Sequence, residues 1–233
     1  MPKFFVFGDC HGFYTQLKDA LEKAGFDRSN PEHWIISVGD NLDRGREPAE
    51  IINFLSEVEN KILVRGNHED LFEDLCMSKI PCTSDYHNGT VQTIADLSKG
   101  DSRDLDMFDV AMSKYKPLLS QMKDYFETEH YVFVHSCIEP VNDWRDVTEE
   151  EWKDARWGNP FNFWELFAVE NKTVVFGHWH TSHYNSPQNE FSPESDFGVA
   201  CGDGFIGIDG CTAYSGKVNV LVIEDEFLRG GNK

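Results

Sequence analysis

Five short apolar runs, each giving way within two residues to glycine, aspartate, asparagine or histidine, constrain this chain more than any other feature. They are Lys3-Phe4-Phe5-Val6-Phe7, Trp34-Ile35-Ile36-Ser37-Val38, Lys61-Ile62-Leu63-Val64, Tyr131-Val132-Phe133-Val134 and Thr173-Val174-Val175-Phe176. Runs this short, rich in β-branched and aromatic residues, read as buried strands. The first three are followed by a polar turn and then by a helix. Leu17, Ala20, Leu21 and Ala24 keep a helical period, with Gly25 placed to cap it. Pro48 opens a second helix, whose Ile51, Ile52, Leu55 and Val58 face one side. Strand and helix in alternation imply α/β architecture, with functional groups at the carboxyl ends of neighbouring strands.

The rest of the chain is less regular. Residues from about 70 to 126 read as mainly helical, interrupted at Pro81, Gly89 and Gly100. Ile94 and Leu97 suit a buried face there, and Asp101, Asp104, Asp106 and Asp109 a solvated one. This stretch is expected to be a helical insertion at about 70–130, either plain scaffold or a cap over the site. Residues 184 to 204, rich in Ser, Pro, Asn and Gly, read as a long loop. Two strands over 205–208 and 218–223 close the chain, and the tail from Arg229 should fray. A single domain over all 233 residues is expected.

What stands at the strand ends is chemically specific. In order they carry Asp9 and His11; Asp40; Asn67; His135; and His178 with His180. Mixed Asp, His and Asn donors suit first-row divalent ions, Mn²⁺, Fe²⁺, Zn²⁺, Co²⁺ or Ni²⁺, rather than Mg²⁺ or Ca²⁺. The donors are too many for one ion and about right for two that share a carboxylate, an arrangement that can generate hydroxide and clamp the oxygens of an in-line displacement. The turn Gly39-Asp40-Asn41-Leu42-Asp43-Arg44-Gly45 adds a second carboxylate and a guanidinium, charges that are costly to bury without a cation or an anion to balance them.

Charge and cysteine content narrow the partners. Against 41 acidic residues stand 21 basic ones, a formal net charge of −20, which disfavours long nucleic acid and anionic membrane. An anionic substrate must be drawn in locally, and bound divalent metals are the simplest source of positive charge. The six cysteines lack C-x-x-C spacing and a phosphatase-type thiolate loop, and read as reduced thiols in a cytoplasmic protein. No apolar run is long enough to span a membrane.

The set G-D-x-H-G, G-D-x-x-D-R-G, G-N-H-E, V-H and G-H-x-H resembles the calcineurin-like metallophosphoesterase superfamily, and Asp43-Arg44-Gly45 with Arg65-Gly66-Asn67-His68-Glu69 resembles its serine/threonine protein phosphatase branch, especially the small bacterial and phage-type members. The resemblance runs from Phe4 to about Ile223. It implies an α/β (α+β four-layer) fold, a central mixed β-sandwich flanked by helices. It implies one metal on Asp9, His11 and bridging Asp40, with His180 as a further ligand, and a second on Asp40, Asn67, His135 and His178. Manganese is the first expectation for both. His68 would be the general acid, paired with Asp43; Arg44 would bind phosphate, with Arg65 and Arg156 as further anion contacts. The implied reaction is attack of a metal-bridging hydroxide on phosphorus. The expected substrates are phosphoserine and phosphothreonine in proteins, and also phosphotyrosine. The alternative is symmetrical bis(5'-nucleosyl)-tetraphosphate or another nucleotide, and a catalytically silent protein-binding scaffold is the remote one. Two departures bear on substrate: Val134-His135-Ser136-Cys137 replaces the branch's V-H-A-G, and Gly177-His178-Trp179-His180 is nearer the wider superfamily.

Overall fold

The computed structural model describes residues 1–101, 106–138, 144–163, 169 and 171–226. The tail from Arg229 and the expectation for Asp104 fall outside them.

The first sheet has the order β3-β2-β1-β9, built from β1 (Lys3–Phe7), β2 (His33–Ser37), β3 (Lys61–Leu63) and β9 (Leu221–Glu224). β1, β2 and β3 run parallel and β9 antiparallel. The second has the order β4-β5-β6-β8-β7, from β4 (Tyr125–Glu127), β5 (Tyr131–Val134), β6 (Thr173–Phe176), β7 (Ala200–Gly202) and β8 (Phe205–Gly207). Its three central strands are parallel and its two edges antiparallel.

Side-chain alternation along each strand generates the layers. Phe4, Val6 and Ile36 from the first sheet meet Phe133, Val175 and Ile208 from the second in a fully buried cluster. Phe5, Phe7, Ile35 and Leu63 point the other way. They are covered by α1 (Tyr14–Ala24), α2 (Pro48–Glu57), α3 (Asn67–Ser78), α5 (Thr90–Ser98) and α6 (Met107–Leu119), which all contribute buried apolar residues; α4 (Thr83–Asn88) packs beside α5. On the outer face of the second sheet, Val132, Val134, Val174, Phe176 and Phe205 pack with Trp144, Trp152 and Ala155, from a 3₁₀ turn and α7 (Glu149–Ala155). Both faces of both sheets are therefore covered, which is why the strands read as near-continuous apolar runs. The architecture is a four-layer α/β sandwich. Among the described residues three more short helices occur: α8 (Pro160–Phe163), α9 (Ser182–Asn185) and α10 (Thr212–Ser215).

The first helix ends at Gly25 in the left-handed region (φ 86°), with Pro48 at the start of the second, as the sequence signals require. Two strands went unread. β4 lies at the end of the stretch read as helical, and β7 lies inside 184–204, which otherwise holds irregular chain from Ser186 to Val199. Three residues are too few to show a period, and antiparallel pairing with a neighbour makes each a strand. Among the described residues no helix is long and apolar enough to cross a membrane.

Candidate metal centre

The turns after β1, β2, β3, β5 and β6 converge at one end of the sandwich. Backbone bonds lace the first two together: Asp9 N donates to Gly39 O (3.0 Å), His11 N to Asp40 O (3.0 Å) and Gly45 N to His11 O (2.7 Å). These turns hold unusual backbone. Among the described residues nine non-glycine positions have positive φ, and Asp9, His11, Asp40, Asp43, Arg44 and His178 are six of them. Left-handed backbone costs such residues about 1 kcal/mol or more each and persists only where the surroundings over-determine it.

Glu69 does much of that determining. Its Oε2 accepts from Asp40 N and Gly66 N, both at 2.9 Å. Oε1 accepts from Asn41 N at 3.0 Å, Asn41 Nδ2 at 3.2 Å and the Tyr115 hydroxyl at 2.9 Å. This buried carboxylate caps the first turn of α3 and fixes the neighbouring β2 turn at once.

Two groups of donor atoms share Asp40: His11, Asp40 and His68, and Asp40, His135 and His178. In the second, His135 Nε2 lies 2.8 Å from Asn67 Oδ1, 3.2 Å from His178 Nδ1 and 3.4 Å from Asp40 Oδ1, and His178 Nδ1 lies 2.9 Å from Asn67 Oδ1. His135 Nδ1–H donates to Val38 O at 2.8 Å, so its Nε2 presents a lone pair. Burial and the neighbouring His135 lower His178 to about 3. Its imidazole is neutral at pH 7. Four acceptors thus crowd around one point. Ligand atoms about 2.0–2.2 Å from a metal ion stand about 3 Å apart, the spacing found here.

The first group is looser. His11 Nδ1–H donates to Leu42 O at 3.0 Å, leaving Nε2 3.7 Å from Asp40 Oδ2. Burial, then Arg44 and His68, push His11 well below its ordinary value. Asp9 is fully buried; its Oδ1 accepts from His178 N at 2.8 Å, while Oδ2 has no hydrogen-bond donor. A side chain on Gly177 would collide with that free oxygen. Burial, Asp209 and Asp40 hold the Asp9 carboxyl well above the usual carboxylate range. An unsatisfied buried oxygen beside neutral imidazoles and like charges is the environment that a cation relieves. The residues present fit metal ions at both groups.

His68 is the third member of the first group, but its ring is tied to Asp43. Its Nδ1–H donates to Asp43 Oδ2 at 2.8 Å, and its Nε2 is 3.9 Å from Asp40 Oδ2 and 3.3 Å from Arg44 Nη2. Burial alone would lower its pKa, but Asp40 and Asp43 raise it above the ordinary value. Arg44 is solvent-exposed.

The other expected residues lie elsewhere. Arg156 is buried, donating from Nε and Nη2 to Asp70 and from Nη1 to Asp124. Arg65 donates to Asp70 and Glu73. Both guanidiniums are spent on this carboxylate network at the start of α3 instead of being presented to an anion. His180 joins neither donor group. Its Nδ1 is 2.8 Å from Ser182 Oγ, its Nε2 3.6 Å from Glu190 Oε2, and its ring packs on Phe191. In the altered V-H-S-C turn, Ser136 Oγ donates to Gly158 O at 2.6 Å. Cys10, between two strand-end donors, packs in the core with Phe5 and Phe7; the left-handed turn at Asp9 and His11, not strand alternation, turns it that way.

Sequence reading passed over Asp209. It is buried, accepts from Cys211 N at 2.7 Å, and carries a pKa of about 6 because burial outweighs that bond and Arg44. Its signal was present: Ile208-Asp209-Gly210 repeats, after β8, the strand-end pattern of the earlier turns.

This fold and donor arrangement define a class: residues 2–201 match the calcineurin-like phosphoesterases, and the chain belongs to that family. Among curated proteins it is 36% identical over 70 residues to the symmetrical bis(5'-nucleosyl)-tetraphosphatase of Buchnera aphidicola subsp. Baizongia pistaciae, a match covering 30% of this chain and 24% of that protein. The matched part is thus about a quarter of that relative's length. A solved structure provisionally described as a diadenosine tetraphosphatase superposes with a TM-score of 0.61 at 17% identity, covering 99% of this chain and 97% of that one. A protein serine/threonine phosphatase from Saccharomyces cerevisiae gives a TM-score of 0.52 at 15% identity, covering 97% and 80%. These structural likenesses concern the fold.

Proposed function

We propose that the protein is a metal-dependent phosphohydrolase whose preferred substrates are dinucleoside polyphosphates cleaved at a phosphoanhydride. The observation that carries the reaction class is the pair of donor groups sharing Asp40, one of which includes His68, with Arg44 beside it. The names of the curated relatives shift the substrate from phosphoproteins, the first expectation, to dinucleotides.

Asp9, His11 and Asp40 would hold one divalent ion and Asp40, Asn67, His135 and His178 the other, with manganese the first to test. Such ions supply water activation and offset negative charge on phosphate. The chain's own groups do the rest. Exposed Arg44 offers a planar fork to two phosphate oxygens. His68, its Nδ1–H held by Asp43, offers Nε2 to the departing oxygen, and Asp40 and Asp43 favour the protonated ring against its burial.

One observation favours phosphomonoesters as a second reading. A buried acid pair such as Asp43–His68 helps most when the leaving group is a poor one, an alkoxide rather than a nucleotide phosphate. The test is a metal-reconstituted assay comparing diadenosine tetraphosphate, phosphoserine and phosphothreonine peptides and p-nitrophenyl phosphate. Higher kcat/KM on the dinucleotide supports the first reading; preference for phosphopeptides replaces it with the second. No turnover of any of them would overturn both.

A further inference from the structure

Asp43 takes a second hydrogen bond from outside the strand-end turns. Thr90 Oγ1 donates to Asp43 Oδ2 at 2.7 Å, the oxygen that also accepts from His68 Nδ1 at 2.8 Å. Asp43 Oδ1 is buried and has no partner. Thr90 is fully buried at the first position of α5. The residue before it, Gly89, has φ 89°, and a Cβ there would stand 2.6 Å from Arg44 N. The α4–α5 corner is therefore seated directly on Asp43 and Arg44, both in left-handed backbone. Two bonds on one oxygen fix the rotation of the carboxylate about its last torsion, which is otherwise broad and two-fold.

We propose that Thr90 is a positioning residue for the acid pair. Its hydroxyl holds the Asp43 carboxylate in the one orientation that keeps His68 Nδ1 protonated and Nε2 aimed at the departing oxygen. Through Thr90, α5 sets the geometry of the proton donor without touching substrate. The inference rests on His68 acting as proposed above.

The test uses Thr90→Val, which keeps shape and loses the hydroxyl, and Thr90→Ser, which keeps the hydroxyl. Each is loaded with metal and assayed on phenyl phosphate and p-nitrophenyl phosphate beside the dinucleotide. Thr90→Val is expected to lose about tenfold or more in kcat on phenyl phosphate, part of the 10²–10⁴ that a general acid contributes. On p-nitrophenyl phosphate, whose leaving group needs little help, the loss should be about threefold or less. KM and bound metal per chain should stay within about twofold, and Thr90→Ser should recover most of the loss. Equal losses on the two phenyl esters, unchanged turnover, or no recovery in Thr90→Ser would overturn the proposal. Where Thr90→Val does not fold, Thr90→Ala takes its place. In either variant the downfield proton signal of His68 Nδ1–H, hydrogen-bonded to Asp43, should shift upfield or broaden; an unchanged signal counts against the proposal. His68→Asn separates the two levels. If it shows no leaving-group dependence, the reading of His68 fails; if it shows one and Thr90→Val does not, only the Thr90 inference fails.

Discussion

Replacing Glu69 with glutamine is the sharpest test of how the site is held. Five donors converge on its two oxygens, three of them backbone amides of the β2 turn and the start of α3. A glutamine keeps one acceptor oxygen. Whichever way its amide faces, two or more N–H or O–H donors meet an NH₂ instead of a carboxylate. Hydrogen bonds to charged groups are worth about 1.5–3 kcal/mol, so two of them give a loss of roughly 3–6 kcal/mol. At about 2–4 °C per kcal/mol for a domain of this size, Tm should fall by roughly 6–24 °C. Thermal melting in a chelator measures this without interference from metal binding. Amide exchange should quicken at Asp40, Asn41 and Gly66 while β6, far from Glu69 in the bond network, changes less. A Tm within about 2 °C of wild type, with unchanged exchange at those three amides, would refute the claim that Glu69 holds both turns.

Other substitutions separate binding from architecture. Arg156→Ala breaks a buried bidentate pair and should cost about 3–5 kcal/mol by urea melts, whereas exposed Arg44→Ala should leave stability within about 0.5 kcal/mol and raise KM tenfold or more. The reverse pattern would restore Arg156 as the anion contact. Asp40→Asn should lose metal and activity together, read by metal analysis and turnover, while His68→Asn keeps its metal. Asp209 gives a pH signature. Its carboxyl, raised to about 6 from an ordinary 3.8, supports the fold most below pH 3.8 and loses that support as pH rises through 6. Metal-free Asp209→Asn should therefore outlast wild type at pH 7.5 by up to about 3 kcal/mol, with the gap closing near pH 4. A gap equal at both pH values would exclude the charge as its cause.

The parts of the molecule that announced themselves in the sequence share one trait: they are local. Apolar runs such as Phe4 to Phe7 and Val174 to Phe176 carry their own signal because both faces are buried. The donors Asp9, His11, Asp40, Asn67, His135 and His178 stand at the ends of such runs and come together when strands align. What stayed hidden depends on partners that no local pattern marks, some of them distant in the chain. Glu69 was visible as a motif letter, but its bond to Tyr115 reaches across 46 residues. Thr90 has no motif, and its partner is 47 residues away. Arg65 and Arg156 looked like free cations because nothing local shows that Asp70 claims both. The side chain of His180 is turned by Ser182, Glu190 and Phe191, residues in or beside the irregular stretch that carries no periodic signal.

The donor group around Asp40 draws on both sheets: Asp40 and Asn67 follow strands of the first, His135 and His178 strands of the second. An ion seated there would be a cross-link between the two halves of the sandwich, closing a loop of more than half the chain. It would act on the unfolded ensemble much as a disulfide does, in a protein with no disulfide among the described residues. A chelator would then do to this fold what a reductant does to a stapled one. It would remove a clasp from the seam where Phe4, Val6, Phe133 and Val175 meet, so that loss of metal is felt along the whole interface between the sheets and not only at the site.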